Sequence, residues 1–167
     1  MQKKIKIIKH RGGLYTLKTK YEVNTNISKT WIFFTTVKNI EKIMPPKLNF
    51  KLTSSKPTNI YEGKIITFST KITPFYRTNI ISEITKVSNE KYFIDQQISG
   101  PYKIWHHEHH FKKTKNNTTI VTEKIKYKLH LHPFSQIIHK LLVKKKLINV
   151  FKYRIKETQR VLNGLKL

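Results

Sequence analysis

Apolar and polar residues alternate through most of this chain from Leu14 onward, with two interruptions where the apolar spacing widens to that of a helix. Tyr15, Leu17, Thr19, Tyr21 and Val23 alternate with Lys18, Lys20 and Glu22, so Leu14 to Val23 is predicted as a strand. Asn26 or Ser28 can then cap a helix on which Trp31, Phe33, Phe34 and Val37 recur at helical spacing, with Trp31 and Phe34 expected in the core. A second short helix, Ile40 to Met44, stops before Pro45-Pro46. Another strand is expected at about Leu48 to Thr53. After a turn at Pro57-Thr58-Asn59 come Tyr61 to Ile72, Arg77 to Val87, Lys91 to Ser99, Ile104 to Lys115 and Thr118 to Leu131. Their separators (Thr73-Pro74, Ser88-Asn89, Gly100-Pro101, Asn116-Asn117) are turn formers. Connections that short make an antiparallel meander.

Two of these strands carry most of the chemistry. In the last, Thr122, Lys124, Lys126 and Lys128 share a solvent face, while Val121, Glu123, Ile125, Tyr127, Leu129 and Leu131 share a core face, so one acid points inward. In the strand before it, Trp105, His107, His109 and Phe111 lie on one face and His106, Glu108, His110 and Lys112 on the other. Two histidines between large aromatics on an inward face are either a buried, hydrogen-bonded pair or part of a ligand pocket. After Pro133 the pattern turns helical, with Ile137, Leu141, Ile148, Phe151, Ile155 and Leu162 on one stripe. Lys144 falls within that stripe. Either a kink or register change near Leu142 to Lys145, or a lysine at the mouth of a cavity, accounts for it.

The predicted fold class is α+β: a seven-stranded curved antiparallel sheet wrapped around a long C-terminal helix, with two short helices after the first strand. It is read as one domain over residues 14–167, preceded by a basic segment at residues 1–13. One helix cannot fill the width of a curved sheet, so a cavity between them is expected, and cavities of this kind take small molecules.

The formal net charge of +25 would ordinarily raise nucleic acid as a partner. Yet of 34 basic residues only four (Arg11, Arg77, Arg154 and Arg160) are arginine, the residue that phosphate forks and base edges favour. Lysine is spread over nearly every segment beside abundant Ile and Asn and no Ala, which looks like a bias toward A/T-rich codons. The expectation is a solvated lysine surface and no specific nucleic-acid partner, any polyanion binding being sequence-indifferent and steeply salt-dependent. The chain has no cysteine, hence no disulfide framework and no thiolate site. No apolar run approaches a membrane span, and Ile5, Ile7 and Ile8 fall far short of a signal-peptide core. A cytoplasmic protein without integral membrane association, monomeric or weakly dimeric, is expected.

In this order the segments resemble the START/polyketide-cyclase/birch-allergen (SRPBCC) superfamily, whose members share the helix-grip fold, and most closely its bacterial members. The residues that carry the likeness begin with Trp31-Ile32-Phe33-Phe34, Asn39-Ile40-Glu41-Lys42-Ile43-Met44-Pro45-Pro46 and Tyr61-Glu62-Gly63-Lys64-Ile65-Ile66. They continue with Phe93-Ile94-Asp95-Gln96-Gln97-Ile98-Ser99-Gly100-Pro101-Tyr102, Trp105-His106-His107-Glu108-His109-His110-Phe111 and Phe151-Lys152-Tyr153-Arg154. Tyr76 stands where the family pattern has Trp, and Glu123 where it has Asp; both keep the chemical type. The resemblance implies a fold with a hydrophobic ligand cavity. The superfamily holds lipid carriers, hormone binders, cyclases and chaperone cofactors, so it leaves the ligand and the activity open.

The first reading is therefore a binder of an apolar or amphipathic molecule (lipid-, polyketide- or isoprenoid-like) in a cavity lined by Trp105, Phe111, Tyr127 and Phe151, with His107, His109 and Glu123 at its polar end. Paired with Glu123, one imidazole would titrate above about 6.5, with Tyr127 completing the network. An alternative is a cyclase- or hydrolase-type enzyme using His107 or His109 with Glu123 as acid and base. A charge-driven nucleic-acid or membrane-surface binder is a third. Asp95 and Gln97 are further candidates whose facing the pattern leaves open. No metal and no cofactor are expected: residues i and i+2 on one strand point in parallel about 6.5–7 Å apart, and closing a ligand sphere would need another strand.

Overall fold

Eight antiparallel strands, in the order β1-β2-β8-β7-β6-β5-β4-β3, form one sheet in the computed structural model, which describes residues 4–54, 59–73, 75–130 and 135–164. The strands are β1 (Lys4–Lys9), β2 (Leu14–Val23), β3 (Lys51–Leu52), β4 (Ile65–Lys71), β5 (Arg77–Ser88), β6 (Tyr92–Ser99), β7 (Ile104–Lys113) and β8 (Thr119–Lys128). Between β2 and β3 lie α1 (Ile27–Thr35) and α2 (Asn39–Ile43). The expected turn at Pro57-Thr58, Pro74, and the stretch holding Leu131 and Pro133 lie outside the described residues.

The strand count corrects the expected seven. Lys4–Lys9, within the segment read as merely basic, pairs with β2 from Lys4↔Lys20 to Lys9↔Tyr15. Lys4, Ile5, Lys6 and Ile7 alternate as a strand does, and Gly12 and Gly13, at φ 66° and 73°, turn the chain back where a side chain would be strained. Its lysines suit an edge strand, where charge discourages further pairing. Asn26 caps α1, its side chain accepting from the Lys29 amide at 2.9 Å.

The C-terminal helix has three parts: α3 (Ser135–Ile138), a π-helical turn (His139–Val143) and α4 (Lys144–Gly164). A π turn adds a residue and shifts the register of everything after it. Lys144 therefore faces solvent, and the buried stripe becomes Leu147, Phe151, Ile155, Thr158 and Leu162. Ile137 and Leu141, expected on that stripe, are exposed. Among the described residues no helix is long and apolar enough to cross a membrane.

α4 packs over the inward face of the sheet, and the core falls into two clusters. One contains Trp31, Phe33, Phe68, Phe93, Phe111, Val121, Ile155 and Leu162; the other contains Tyr15, Leu17, Ile125, Tyr127, Leu147 and Phe151. Between Val121 and Ile125 on β8 stands Glu123, and between Phe151 and Ile155 on α4 stands Arg154. A polar stripe thus crosses the core where one apolar cluster gives way to the other.

His139, on the π turn, is buried with its ring stacked on Tyr15 at 3.6 Å, and its Nε2 is hydrogen-bonded to Tyr127 Oη at 2.8 Å. Burial, with Lys144 and Lys9 nearby, lowers its pKa below the ordinary imidazole value. The unfolded chain then binds a proton that the folded one refuses, so stability falls as pH drops below about 6.5. In urea unfolding between pH 7 and pH 5, His139→Gln is expected to flatten that loss. An unchanged slope would remove His139 as a source of it.

Candidate functional site

The inward residues of four neighbouring strands form two rows at the centre of the sheet. Phe93, His109, Glu123 and Thr19 face one another across β6, β7, β8 and β2, and the next row is Asp95, His107, Ile125 and Leu17. His107 and His109 are each 5% exposed, and their rings lie 3.8 Å apart at 34°. His109 is stacked on Phe93 at 4.1 Å, and Phe34 closes over it from α1 at 6.2 Å.

Two carboxylates bracket this pair of imidazoles. On one side Asp95 Oδ2 is hydrogen-bonded to His109 Nε2 at 3.0 Å and lies 3.5 Å from His107 Nδ1. On the other, Glu123 Oε2 lies 3.3 Å from His107 Nε2 and 3.6 Å from His109 Nδ1, without the alignment of a hydrogen bond. Arg154 Nη2 donates to that same Glu123 oxygen at 2.7 Å, and both partners are buried.

These contacts set the charges of the cluster. Burial would raise the Glu123 carboxyl, but the Arg154 guanidinium first, then His107 and His109, hold it well below the usual carboxylate range. Burial likewise opposes ionisation of Asp95, and His107 and His109 outweigh it, so Asp95 also titrates low. His109 goes the other way from expectation. Burial and the neighbouring His107 push it down to about 4 against the pull of Asp95 and Glu123. The Arg154 guanidinium is a positive charge facing Glu123, and His109 does not supply one near neutral pH.

A cavity of about 220 Å³ opens between the sheet, α1, α2 and α4. Trp105, His107, His109 and Phe151 line it, together with Asp95, Gln97 and Arg154. The other three expected lining residues stand elsewhere. Phe111 packs behind the wall against Trp31 and Phe34, Glu123 sits beneath the two imidazoles at 0% exposure, and Tyr127 bonds His139 instead of the histidine pair. Phe34, read as core, lines the cavity, as do two lysines, Lys71 and Lys146; the Nζ of Lys146 donates to the Ile72 carbonyl. The outward set is separate: His106 and His110 flank Glu108, which also takes Lys124 at 3.1 Å.

This architecture occurs in other solved proteins. A Mycobacterium smegmatis protein superposes with a TM-score of 0.69 at 14% identity, over 98% of this chain and 100% of that one. A Rhodobacter sphaeroides protein does so with a TM-score of 0.70 at 8% identity, again over 98% and 100%. Major latex-like protein 151 of Panax ginseng gives 0.62 at 14% identity over 90% of this chain and 99% of that one. No family model matches the sequence, and no curated protein matches it. Likeness at these identities shows the fold, and the site must be read from its own residues.

Pattern reading gives Arg154 no role, and Asp95 and Gln97 are candidates whose facing it leaves open; all three line the cavity. Two signals were available for them. Asp95 is the only aspartate in the sequence, and Arg154 is one of four arginines in a chain that uses lysine for nearly every other basic position. Gln97 Nε2 donates to the Tyr102 carbonyl at 2.6 Å, which ties β6 to the loop before β7 and leaves no such trace in sequence.

Proposed function

We propose that this protein, a helix-grip protein of START-like type whose single domain includes the edge strand Lys4–Lys9, binds an apolar or amphipathic small molecule in the cavity beneath α4. The observation that carries this reading is a cavity walled mainly by apolar residues, among them Phe33, Ile66, Phe68, Ile84, Trp105 and Phe151, with Asp95, His107 and His109 converging on one part of its wall. Mostly apolar walls with a few convergent polar groups are the usual make-up of a small-molecule site. At about 220 Å³ the cavity suits a guest, or an entering part of one, of modest size. Glu123 supports binding over the His–Glu acid–base alternative, because it is committed to Arg154 and does not reach the cavity.

Binding of an environment-sensitive apolar dye tests the reading. About one site tighter than roughly 100 μM is expected, which is only about −5.5 kcal/mol. Ser82, a small buried residue of the cavity wall on β5, can be enlarged without deleting a contact. Ser82→Phe is expected to weaken the dye at least tenfold while the circular dichroism of the fold is kept, and Trp105→Ala to change its affinity. Binding absent at 100 μM, or indifferent to Ser82→Phe, overturns the proposal. Where the dye binds as expected, native mass spectrometry of protein from its own host identifies the co-purifying guest.

A further inference from the structure

The spacing of His107 and His109 along one strand spoke against a metal because such residues point in parallel. The sheet supplies what one strand lacks. Asp95, directly opposite His107 on β6, brings a carboxylate oxygen to within 3.0 Å of His109 Nε2 and 3.5 Å of His107 Nδ1. Donors bound to one ion at about 2.0–2.2 Å stand about 3.0–3.5 Å from each other. One donor atom from each of the three residues lies within 4.8 Å of the other two. We propose that Asp95, His107 and His109 form a site for one divalent first-row transition-metal ion, open to the cavity at its remaining positions.

Imidazole and carboxylate donors are the set such ions take, and two histidines with one carboxylate leave positions free for water or an oxygen donor of a bound molecule. The surroundings supply a second, independent reason. His107 Nε2 and His109 Nδ1, the nitrogens turned away from Asp95, are buried without a hydrogen-bond partner, and both face Glu123 Oε2. With a proton shared toward Asp95 at His109 Nε2, the His109 Nδ1 lone pair is left facing a carboxylate. A metal at Nε2 of His109 and Nδ1 of His107 forces the other tautomer in each ring. Both far nitrogens then carry a proton on the Glu123 side, 3.3 and 3.6 Å from Oε2, where a small shift of the rings would let a carboxylate behind the ligands fix their orientation. Arg154 holds Glu123 in place for this role at 2.7 Å. Charge agrees: two carboxylates and one guanidinium leave one net negative charge in a largely buried site, which a cation offsets.

The outer face of β7 is the competing place for an ion, and it is the poorer one. His106 and His110 approach different oxygens of Glu108, and the Lys124 ammonium already occupies that carboxylate. The experiment therefore uses full-length protein without a polyhistidine tag, carrying His106→Gln and His110→Gln to silence that face. Co(II) is titrated alone, with no dye or other guest present, so that a failure here is separate from a failure of ligand binding. One equivalent is expected, with visible ligand-field bands of a four- or five-coordinate ion that Zn(II) abolishes. Asp95→Asn, at a half-buried position, is expected to weaken Co(II) by about a hundredfold, at or above the effect of losing a residue behind the ligands. Ring resonances of His107 and His109 in the otherwise wild-type protein should move on Zn(II) addition, a readout that needs no core variant. Dissociation constants above about 100 μM, bands unaffected by Asp95→Asn, or unmoved His107 and His109 resonances would mean an adventitious ion only and overturn the site.

Discussion

Arg154→Met is expected to destabilise the protein by about 3–5 kcal/mol, because it strands the Glu123 carboxylate inside the core. Glu123 is 0% exposed and Arg154 5%, and the 2.7 Å contact between them is the direct hydrogen bond of that carboxylate among the described residues. Neither charge can recover water when its partner is removed. Glu123→Gln should cost a similar amount for the mirror reason, leaving the guanidinium unmatched. The double variant is the decisive one. With both charges gone, neither charge remains to be compensated, so Glu123→Gln/Arg154→Met should be more stable than either single variant. Urea unfolding of the four proteins reads this directly, and singles that each lose less than about 1 kcal/mol would show that the pair does not hold the core. Because the folded carboxyl titrates below its unfolded value near 4.3, the stability it contributes is present above that pH and lost only in acid.

A second large effect is expected at Phe111, where truncation should separate folding from binding. The ring sits 5.5 Å from Trp31 and 5.1 Å from Phe34, both edge-on, and 6.1 Å from Phe93. It joins α1 to the centre of the sheet. Phe111→Ala removes those contacts and leaves a hole that close-packed neighbours fill only in part, a loss of about 3–5 kcal/mol. Phe111 does not line the cavity, so the variant that remains folded should bind the apolar dye with nearly wild-type affinity. Trp105→Ala should do the reverse, since Trp105 is half-buried and forms part of the cavity wall. A dye affinity that follows Phe111 rather than Trp105 would place the guest at the Phe111 end of this same face of β7, under α1.

The contrast between those two residues marks the limit of pattern reading. Period-two alternation along β7 puts Trp105, His107, His109 and Phe111 on one face, and they are on one face. It does not say what stands above each. That depends on α1 covering Phe111 and laying Phe34 near His109, while α4 sets Phe151 edge-on to His107 beside the cavity. The same holds on β8, where Val121, Glu123, Ile125 and Tyr127 all turn inward as their spacing requires, yet Glu123 meets Arg154 and Tyr127 meets His139. Both partners come from the C-terminal helix. The π turn at His139–Val143 sets which of its residues face the sheet: Ile137 and Leu141 before and within it are exposed, and Leu147 and Arg154 join Phe151, Ile155 and Leu162 on the buried side after it.

By itself the sequence determined the α+β class, the antiparallel meander, the long closing helix and the inward facing of two histidines and a glutamate, because each follows from local periodicity and turn chemistry. The edge strand Lys4–Lys9 was written in the same alternation, hidden beneath its lysines. Only the tertiary structure decided the chemistry. Asp95 approaches the histidines through pairing between β6 and β7, and Arg154 reaches Glu123 from thirty-one residues away across the sheet–helix interface. Ionisation inside the core depends on which charges such long-range packing brings within a few ångströms, and a one-dimensional pattern holds no record of those distances.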